Sequence, residues 1–518
     1  MLANVPAQSA EKTYVTVADT MQTNASCVKI VTQTRMNTLA HVAQISTTTT
    51  TNMQIPDNVR DVLQAIVLAG GVPKFVGGMV RDHLWNLSPK DFDVEVSGLH
   101  PNELQTILSK FGQVDAVGKQ FAVFKLHHIN ADFSLPRLEN KIGVGHRDFE
   151  VLPNANLSLE DRCRRRDLTM NAIEMDPFTL RIDDPFEGRK DMAAGRLRAT
   201  DPKKFVEDDL RAVRVAQFIA RFPQMVPDEE LIELCSKADL SHLPGDRLWE
   251  EFKKMFIKGS RPDLGLSFMK TANLLRFFPE LQALVGCQQH PVFHAEGDVW
   301  THTVMAVKVA ATLRLDEVTR EEDNLVLMLA VLCHDFGKPP TTVWSQEKKR
   351  LVSNGHDDAG VQPATKFLER LNAPQWVVKA VQVLVREHLK PFMLVKENAG
   401  ASAYRRLARR MDGVSLNLLA KVAIADSEGR ICYDVVHQTR TDIDTFLNRA
   451  TSAGVENLSA PPEDVVKGRH LLERGYSPSP LIGVILQACR DFQDETGEKD
   501  PNKILEKILS GFAFPDKR

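Results

Sequence analysis

The run Asp91-Phe92-Asp93-Val94-Glu95-Val96 constrains this chain more than any other stretch. Acidic and apolar residues alternate with the period of a β-strand, in which successive side chains turn to opposite faces. Asp91 and Asp93 therefore share one face, while Phe92 and Val94 share the other. Two carboxylates aimed at one spot repel each other unless protonated, paired or bridged by a hard cation. Mg²⁺ held by one or two Asp plus substrate phosphates meets that condition. Upstream, Val76-Gly77-Gly78 ends an apolar run with two residues that lack side chains, so phosphate oxygens can approach backbone N–H groups, and Arg81 follows one turn on. Alone, an Asp-x-Asp reads as a solvated strand end and a Gly-Gly pair as a turn. With Asp91 nine residues beyond Asp82, the two form a phosphate cradle and a metal pair in one strand–helix–strand unit. That combination predicts a nucleoside triphosphate site.

This combination of Gly-Gly-x-x-Arg-Asp with Asp-Phe-Asp resembles the nucleotidyltransferase superfamily that includes DNA polymerase β. More narrowly, it resembles the bacterial tRNA CCA-adding and poly(A) polymerase family. Two later motifs extend the resemblance. Arg164-Arg165-Arg166-Asp167-Leu168-Thr169-Met170-Asn171-Ala172 would ordinarily be a solvated cationic face, but it is similar to the family's RRDFTxNA element. That likeness implies that Arg166 and Asp167 help hold the triphosphate; Leu168 replaces Phe with another apolar residue. Farther on, Glu207-Asp208-x-x-Arg211 resembles the family's EDxxR element, in which Asp and Arg serve as an amino-acid template for the incoming base. A carboxylate accepts the exocyclic amine of C or A while a guanidinium donates to the adjacent ring nitrogen, and G and U present the opposite pattern. Asp208 and Arg211 take that role by resemblance, with Arg214 alongside. Read from periodicity, Glu207–Phe222 is one helix with Glu207, Arg211 and Arg214 on a single face, which is also what an intrahelical salt-bridge ladder requires. Asp132, at the end of a short extended run, is a candidate third carboxylate or simply a strand-end cap.

A second cluster lies in the C-terminal half, where six of the fifteen His fall between residues 290 and 388. His302, Asp335, His388 and Asp426 each lie on the apolar stripe of a predicted helix. One buried His is usually a satisfied core residue. Four polar groups on four such stripes are costly to bury without a common partner, and a metal is the economical one. The adjacent His334-Asp335 resembles the HD phosphohydrolase superfamily. By that resemblance His302, His334, Asp335 and Asp426 are metal ligands, with His356 and His388 as candidates for a second ion. Mixed nitrogen and oxygen ligation suits Mg, Mn, Ni, Fe or Co.

The 518 residues are enough for about three or four domains, and the boundaries read as follows. Residues 1–54 are Thr/Gln/Ser/Asn-rich and read as a disordered low-complexity tail. Residues 55–185 form the nucleotidyltransferase head, 186–285 a helical neck that binds nucleobase and RNA, 286–435 the HD region and 436–518 a helical C-terminal region. Residues 182–199 read as the linker leaving the head. The fold class is multidomain α+β: a polymerase-β-like head with a mixed sheet, then an all-α neck and an all-α HD domain.

The formal charge of -3 places nucleic-acid contacts in local basic patches rather than in a basic whole. One such patch is Arg405, Arg406, Arg409 and Arg410, which suits either an RNA backbone or a solvated helix face. Seven scattered Cys without a Cys-x-x-Cys spacing read as reduced thiols in a cytoplasmic protein. No apolar run approaches the ~20 residues that span a bilayer.

These features predict Mg²⁺-dependent, template-independent addition of CCA to the 3′ end of tRNA from CTP and ATP, with a second phosphohydrolase activity in the HD region. Poly(A) polymerization, or addition of only CC or only A, shares the head motifs. An HD phosphohydrolase with an accessory RNA-binding head is the alternative of another class.

Overall fold

The structure is a computed structural model that describes residues 53–87, 91–117, 123–141, 149–154, 156–314, 321–432, 438–455, 460 and 462–511. Apart from residues 53 and 54, the expected N-terminal tail lies outside the described residues. The chain divides into two compact units, the first ending at Asp201 and the second comprising chiefly the residues from Pro202 onward.

The first unit is built on a mixed seven-stranded sheet. Its strands run, across the sheet, Val114–Val117, Val123–Leu126, Ala131–Ser134, Phe92–Ser97, Val72–Val76, Glu174–Met175 and Ile182–Asp183. Phe92–Ser97 lies antiparallel to Val72–Val76 and parallel to Ala131–Ser134. The alternation read from the sequence is met: Phe92 and Val94 are buried, and Asp91 and Asp93 are open to solvent. Val59, Val62, Leu63 and Ile66 of helix Asp57–Leu68 are all buried, as their spacing predicts.

Residues 182–199 are not the linker that their composition suggested. They contain a sheet strand, helix Gly188–Ala194 and strand Arg196–Leu197, and their anchor is Asp191. This fully buried carboxylate accepts hydrogen bonds from Thr169 Oγ1 at 2.7 Å, Arg196 Nε at 2.7 Å and Arg198 Nε at 2.9 Å. A charge-rich segment reads as solvated until its one buried acid is placed against its cations.

The second unit is mostly helical. Phe252 of helix Gly245–Lys258 packs edge-on against Phe278 and Phe367 at centroid separations of 5.3 and 5.9 Å, and Phe336 meets Phe367 at 5.7 Å. These rings draw residues on both sides of position 285 into one core, so the neck and HD regions share their packing. The helix expected from Glu207 begins at Leu210, which leaves Glu207 and Asp208 ahead of its first turn.

On the arginine-rich helix Ala401–Arg410, Arg405 and Arg409 turn into the protein, while Arg406 and Arg410 are exposed but paired. Arg405 is buried and donates to the carbonyls of Asp494, Ala453 and Glu495; Arg406 pairs with Glu495, Arg409 with Asp464 and Asp494, and Arg410 with Glu387. The patch joins this helix to the C-terminal region, whose small core contains Leu471, Tyr476, Ile485, Ile504 and Leu505. Among the described residues no helix is long and apolar enough to cross a membrane, and the six described cysteines are free.

Candidate functional site

In the first unit, strand Val72–Val76 delivers the chain to Gly77, whose φ of +70° favours glycine. A Cβ there would sit 3.0 Å from Arg166 Nη1 and 4.0 Å from Asp93 Oδ2. The turn, the Arg166 cation and the Asp93 carboxylate are thus brought to one place. Asp132 stands directly beside Asp93 in the parallel register, with its own carboxylate 3.2 Å from Lys125 Nζ. Although Asp93 is open to solvent on one side, the surrounding protein raises its carboxyl pKa by desolvation; Arg166 and Lys125 oppose the rise, and Asp132 and Asp91 add to it. Three carboxylates close enough to penalise one another's charge form a donor set suited to a divalent cation, beside the Gly77 turn.

Two residues expected to touch phosphate are placed as supports. Arg81 is buried; its Nε and one terminal nitrogen donate to Asp82, and its Nη1 donates to Asn171 Oδ1 at 2.6 Å. Asp167, also buried, accepts from Leu168 N and from Asn171 Nδ2. The resulting Arg81–Asn171–Asp167 chain ties the glycine turn to the turn that carries Arg166. The neighbouring arginines are engaged as well: Arg164 with Asp201, and Arg165 with Glu95, which also lies 3.4 Å from Arg162. Arg162 in turn pairs with the fully buried Glu174 at 2.7 Å. Glu95, Arg162 and Glu174 were not read from the sequence, though Glu95 could have been, since it lies on the Asp91–Asp93 face by the same alternation.

In the second unit, Asp208 accepts from the backbone N–H of Leu210 and pairs with Arg247 at 3.0 Å, a partner the motif does not reveal. Arg211 donates to the carbonyl of Lys204 at 2.7 Å, and Arg214 lies 3.5 Å from Glu251. Glu207 accepts from Lys204.

The HD cluster assembles as the helix stripes imply. His302 comes from helix Val299–Leu313, His334 and Asp335 follow helix Glu321–Cys333, His356 begins helix His356–Arg370, His388 ends helix Gln375–Glu387, and Asp426 lies on helix Leu416–Glu428. His302 Nε2 is 3.1 Å from Asp426 Oδ1 and 3.3 Å from His334 Nε2, and His356 Nε2 is 3.3 Å from His388 Nε2. Three trios have their ligand atoms within 4.8 Å of one another: His294 with Glu296 and His302, His302 with His334 and Asp426, and Asp335 with His356 and His388.

Each imidazole is oriented through its other nitrogen. Nδ1 of His334, His356 and His388 faces the carbonyls of Val331, Ser353 and Val385, and Nδ1 of His302 faces Glu296 Oε1 at 3.1 Å. With the proton on Nδ1, every Nε2 turns a lone pair inward, the second-sphere arrangement of metal-bound histidine. Lone pairs facing one another at 3.3 Å repel unless a cation lies between them. Burial pushes His388 down to about 4, so it is a neutral donor at pH 7. Burial opposes the charge on Asp335, but His334 and Lys338, whose Nζ is 2.7 Å away, hold its carboxyl well below the usual range. The donor set fits one or two divalent ions. Glu296, His294 and Lys338 were missed, although the spacing of Lys338 three residues after Asp335 was visible.

Comparison with known proteins finds a family model over each of these two regions. Residues 74–198 match the model of the Poly A polymerase head domain, and residues 299–426 match the HD domain. A Multifunctional CCA protein of Neisseria meningitidis is 33% identical over 436 residues, covering 81% of this chain and 98% of the relative. One from Acinetobacter baumannii is 32% identical over 367 residues, covering 69% and 84%. The fold is similar to that of the Bacillus stearothermophilus CCA-adding enzyme in complex with CTP, with a TM-score of 0.61 at 19% identity over 88% of this chain and 99% of that one. It is also similar to that of the Thermotoga maritima CCA-adding enzyme complexed with tRNA, with a TM-score of 0.53 at 16% identity over 89% and 96%. With its head motifs, its HD cluster and near-complete coverage of these relatives, the chain belongs to the multifunctional CCA protein family.

Proposed function

We propose that this chain completes the 3′ CCA of tRNA from CTP and ATP in the cytoplasm, and that its HD cluster carries a second, phosphohydrolytic activity. The observation that carries the first reading is the meeting of Gly77, Asp93 and Arg166, with Asp132 in register beside Asp93. Asp91 and Asp93 hold Mg²⁺, with Asp132 as the third carboxylate. Mg²⁺ bound there favours ionisation of the RNA 3′ hydroxyl and offsets charge on the α-phosphate and the leaving pyrophosphate. The glycine turn receives phosphate oxygens and Arg166 supplies the cation, while Arg81 and Asp167 keep the two turns in place. No protein nucleophile is required. Asp208 and Arg211, with Arg214 alongside, choose the base by its Watson–Crick edge. Asp208 exchanges its Arg247 contact for the exocyclic amine, and Arg211 exchanges the Lys204 carbonyl for the ring acceptor.

The HD ligands His302, His334, Asp335, His356, His388 and Asp426 hold a divalent ion drawn from Mg, Mn, Ni, Fe and Co, whose chemistry is activation of water toward a phosphoester. The test of the first activity is incubation with tRNA lacking CCA, tRNA ending in CC and an unrelated oligonucleotide, each with a single labelled nucleotide. Stepwise addition of C, C and A to the first substrate alone is expected. Untemplated runs of A on all three would instead identify a poly(A) polymerase.

A further inference from the structure

Lys125 lies in one row with the carboxylates of the head. On strand Val123–Leu126 it is directly across from Asp132, and Asp132 is directly across from Asp93. Paired residues of adjacent strands point to the same face, so the ammonium and the two carboxylates stand side by side on neighbouring strands. Lys125 Nζ is 3.2 Å from Asp132 Oδ2, yet the two side chains are 56% and 43% exposed. An ion pair so open to water contributes little and breaks easily. On the other flank of Lys125, Asp115 is directly across from it but lies 2.6 Å from His127 Nε2. Asp132 is therefore the acid that holds the ammonium, and it is also the acid beside Asp93.

The order of the strands gives this row a direction. Strand Val72–Val76, which leads into the Gly77 turn, adjoins Phe92–Ser97 on one side; Ala131–Ser134 and then Val123–Leu126 follow on the other. Gly77, with Arg166 against it, thus flanks Asp93 from one side, and Lys125 lies beyond Asp132 on the opposite side. In phosphoryl transfer the attacking and leaving oxygens lie roughly in line through phosphorus. With the outer phosphates over the glycine turn and the α-phosphorus at Asp93, pyrophosphate leaves toward Val72–Val76. The attacking 3′ oxygen then comes from the side of Ala131–Ser134. A strand spacing of about 4.8 Å puts the Lys125 backbone roughly 10 Å beyond that of Asp93 along this line. A flexible side chain with an exposed ammonium meets the backbone of the approaching RNA there, and not the nucleotide.

Resting on the nucleotidyltransferase reading of the head, we propose that Lys125 binds the acceptor RNA, exchanging Asp132 for the phosphodiester that joins the last two nucleotides when Asp132 turns to the divalent cation. The exchange keeps every charge matched: the carboxylate passes from ammonium to metal, and the ammonium from carboxylate to phosphate. Lys125 holds the strand whose 3′ oxygen attacks the α-phosphorus, and it takes no part in the bond that forms or in the release of pyrophosphate.

The test uses the full chain, tRNA lacking CCA and labelled CTP at saturating Mg²⁺. Lys125→Ala is expected to raise the KM for tRNA roughly tenfold while the KM for CTP and kcat stay within about twofold. Equilibrium binding of the same tRNA without CTP should weaken in step. The log–log salt dependence of kcat/KM for tRNA should flatten by about 0.7, the share of one single-strand phosphate contact. Lys125→Arg, which keeps the charge, should restore most of each. If Lys125 serves only its pair with Asp132, Lys125→Ala instead lowers the Mg²⁺ concentration needed for half-maximal incorporation, because a competing cation is gone. The tRNA KM and the salt slope then stay where they were, and that result overturns the inference. A rise in the KM for CTP that matches or exceeds the rise for tRNA places Lys125 on the triphosphate and overturns it as well. Failure of the unaltered chain to extend the tRNA with any nucleotide rejects the nucleotidyltransferase reading itself.

Discussion

Replacing Asp191 with Ala tests whether residues 182–199 belong to the head. The removed carboxylate is fully buried and serves three side chains with unequal access to water. Thr169 is 1% exposed, so its hydroxyl would lose its acceptor without gaining solvent, at a cost of about 1–3 kcal/mol. Arg196 and Arg198 have side chains 43% and 27% exposed, so both can rehydrate. Their share falls well below the ~3–5 kcal/mol of a fully buried broken pair. A total of about 3 kcal/mol follows, which for a unit of this size lowers its Tm by about 6–12 °C. Thermal melting followed by hydrogen-exchange mass spectrometry would assign the shift to the first unit. Because Thr169 belongs to the turn that carries Arg166 and Asp167, peptides covering 162–172 should lose protection together with those covering 188–199. A shift under about 2 °C, or loss of protection confined to 188–199, would refute the reasoning and return the segment to a tethered linker.

Asp91→Ala and Asp93→Ala should each abolish nucleotide incorporation with little change in Tm, since removing one carboxylate relieves repulsion while the metal site is lost; incorporation surviving in both would reject the site. His334→Ala combined with Asp335→Ala should eliminate phosphohydrolase activity and leave CTP and ATP incorporation within a few-fold, measured on the same folded sample. Arg211→Ala should lower kcat/KM for CTP and ATP by ~1–3 kcal/mol and relax discrimination against UTP and GTP. Unchanged CTP:UTP and ATP:GTP ratios would show that Arg211 serves the fold, as in its contact with the Lys204 carbonyl, and not base selection.

What the sequence determined by itself was everything carried by short-range periodicity and motif spacing. Alternation alone assigned Asp91 and Asp93 to one face, and helix stripes alone directed His302, Asp335, His388 and Asp426 inward. These signals are local because backbone geometry sets side-chain direction every two or 3.6 residues. The second half of each site was decided by tertiary structure. Nothing in the sequence says that Asp132 lies in register with Asp93, or that Asp191 is the acid that orders residues 182–199. Cations were the least legible residues. Arg81 and Arg405 are buried, whereas Lys348 and Arg350 line a cavity that Asp335, Asp357 and Asp426 also line. A guanidinium reaches several ångströms from its backbone, so whether it binds a ligand or holds the fold together depends on which acids the tertiary fold brings within that reach.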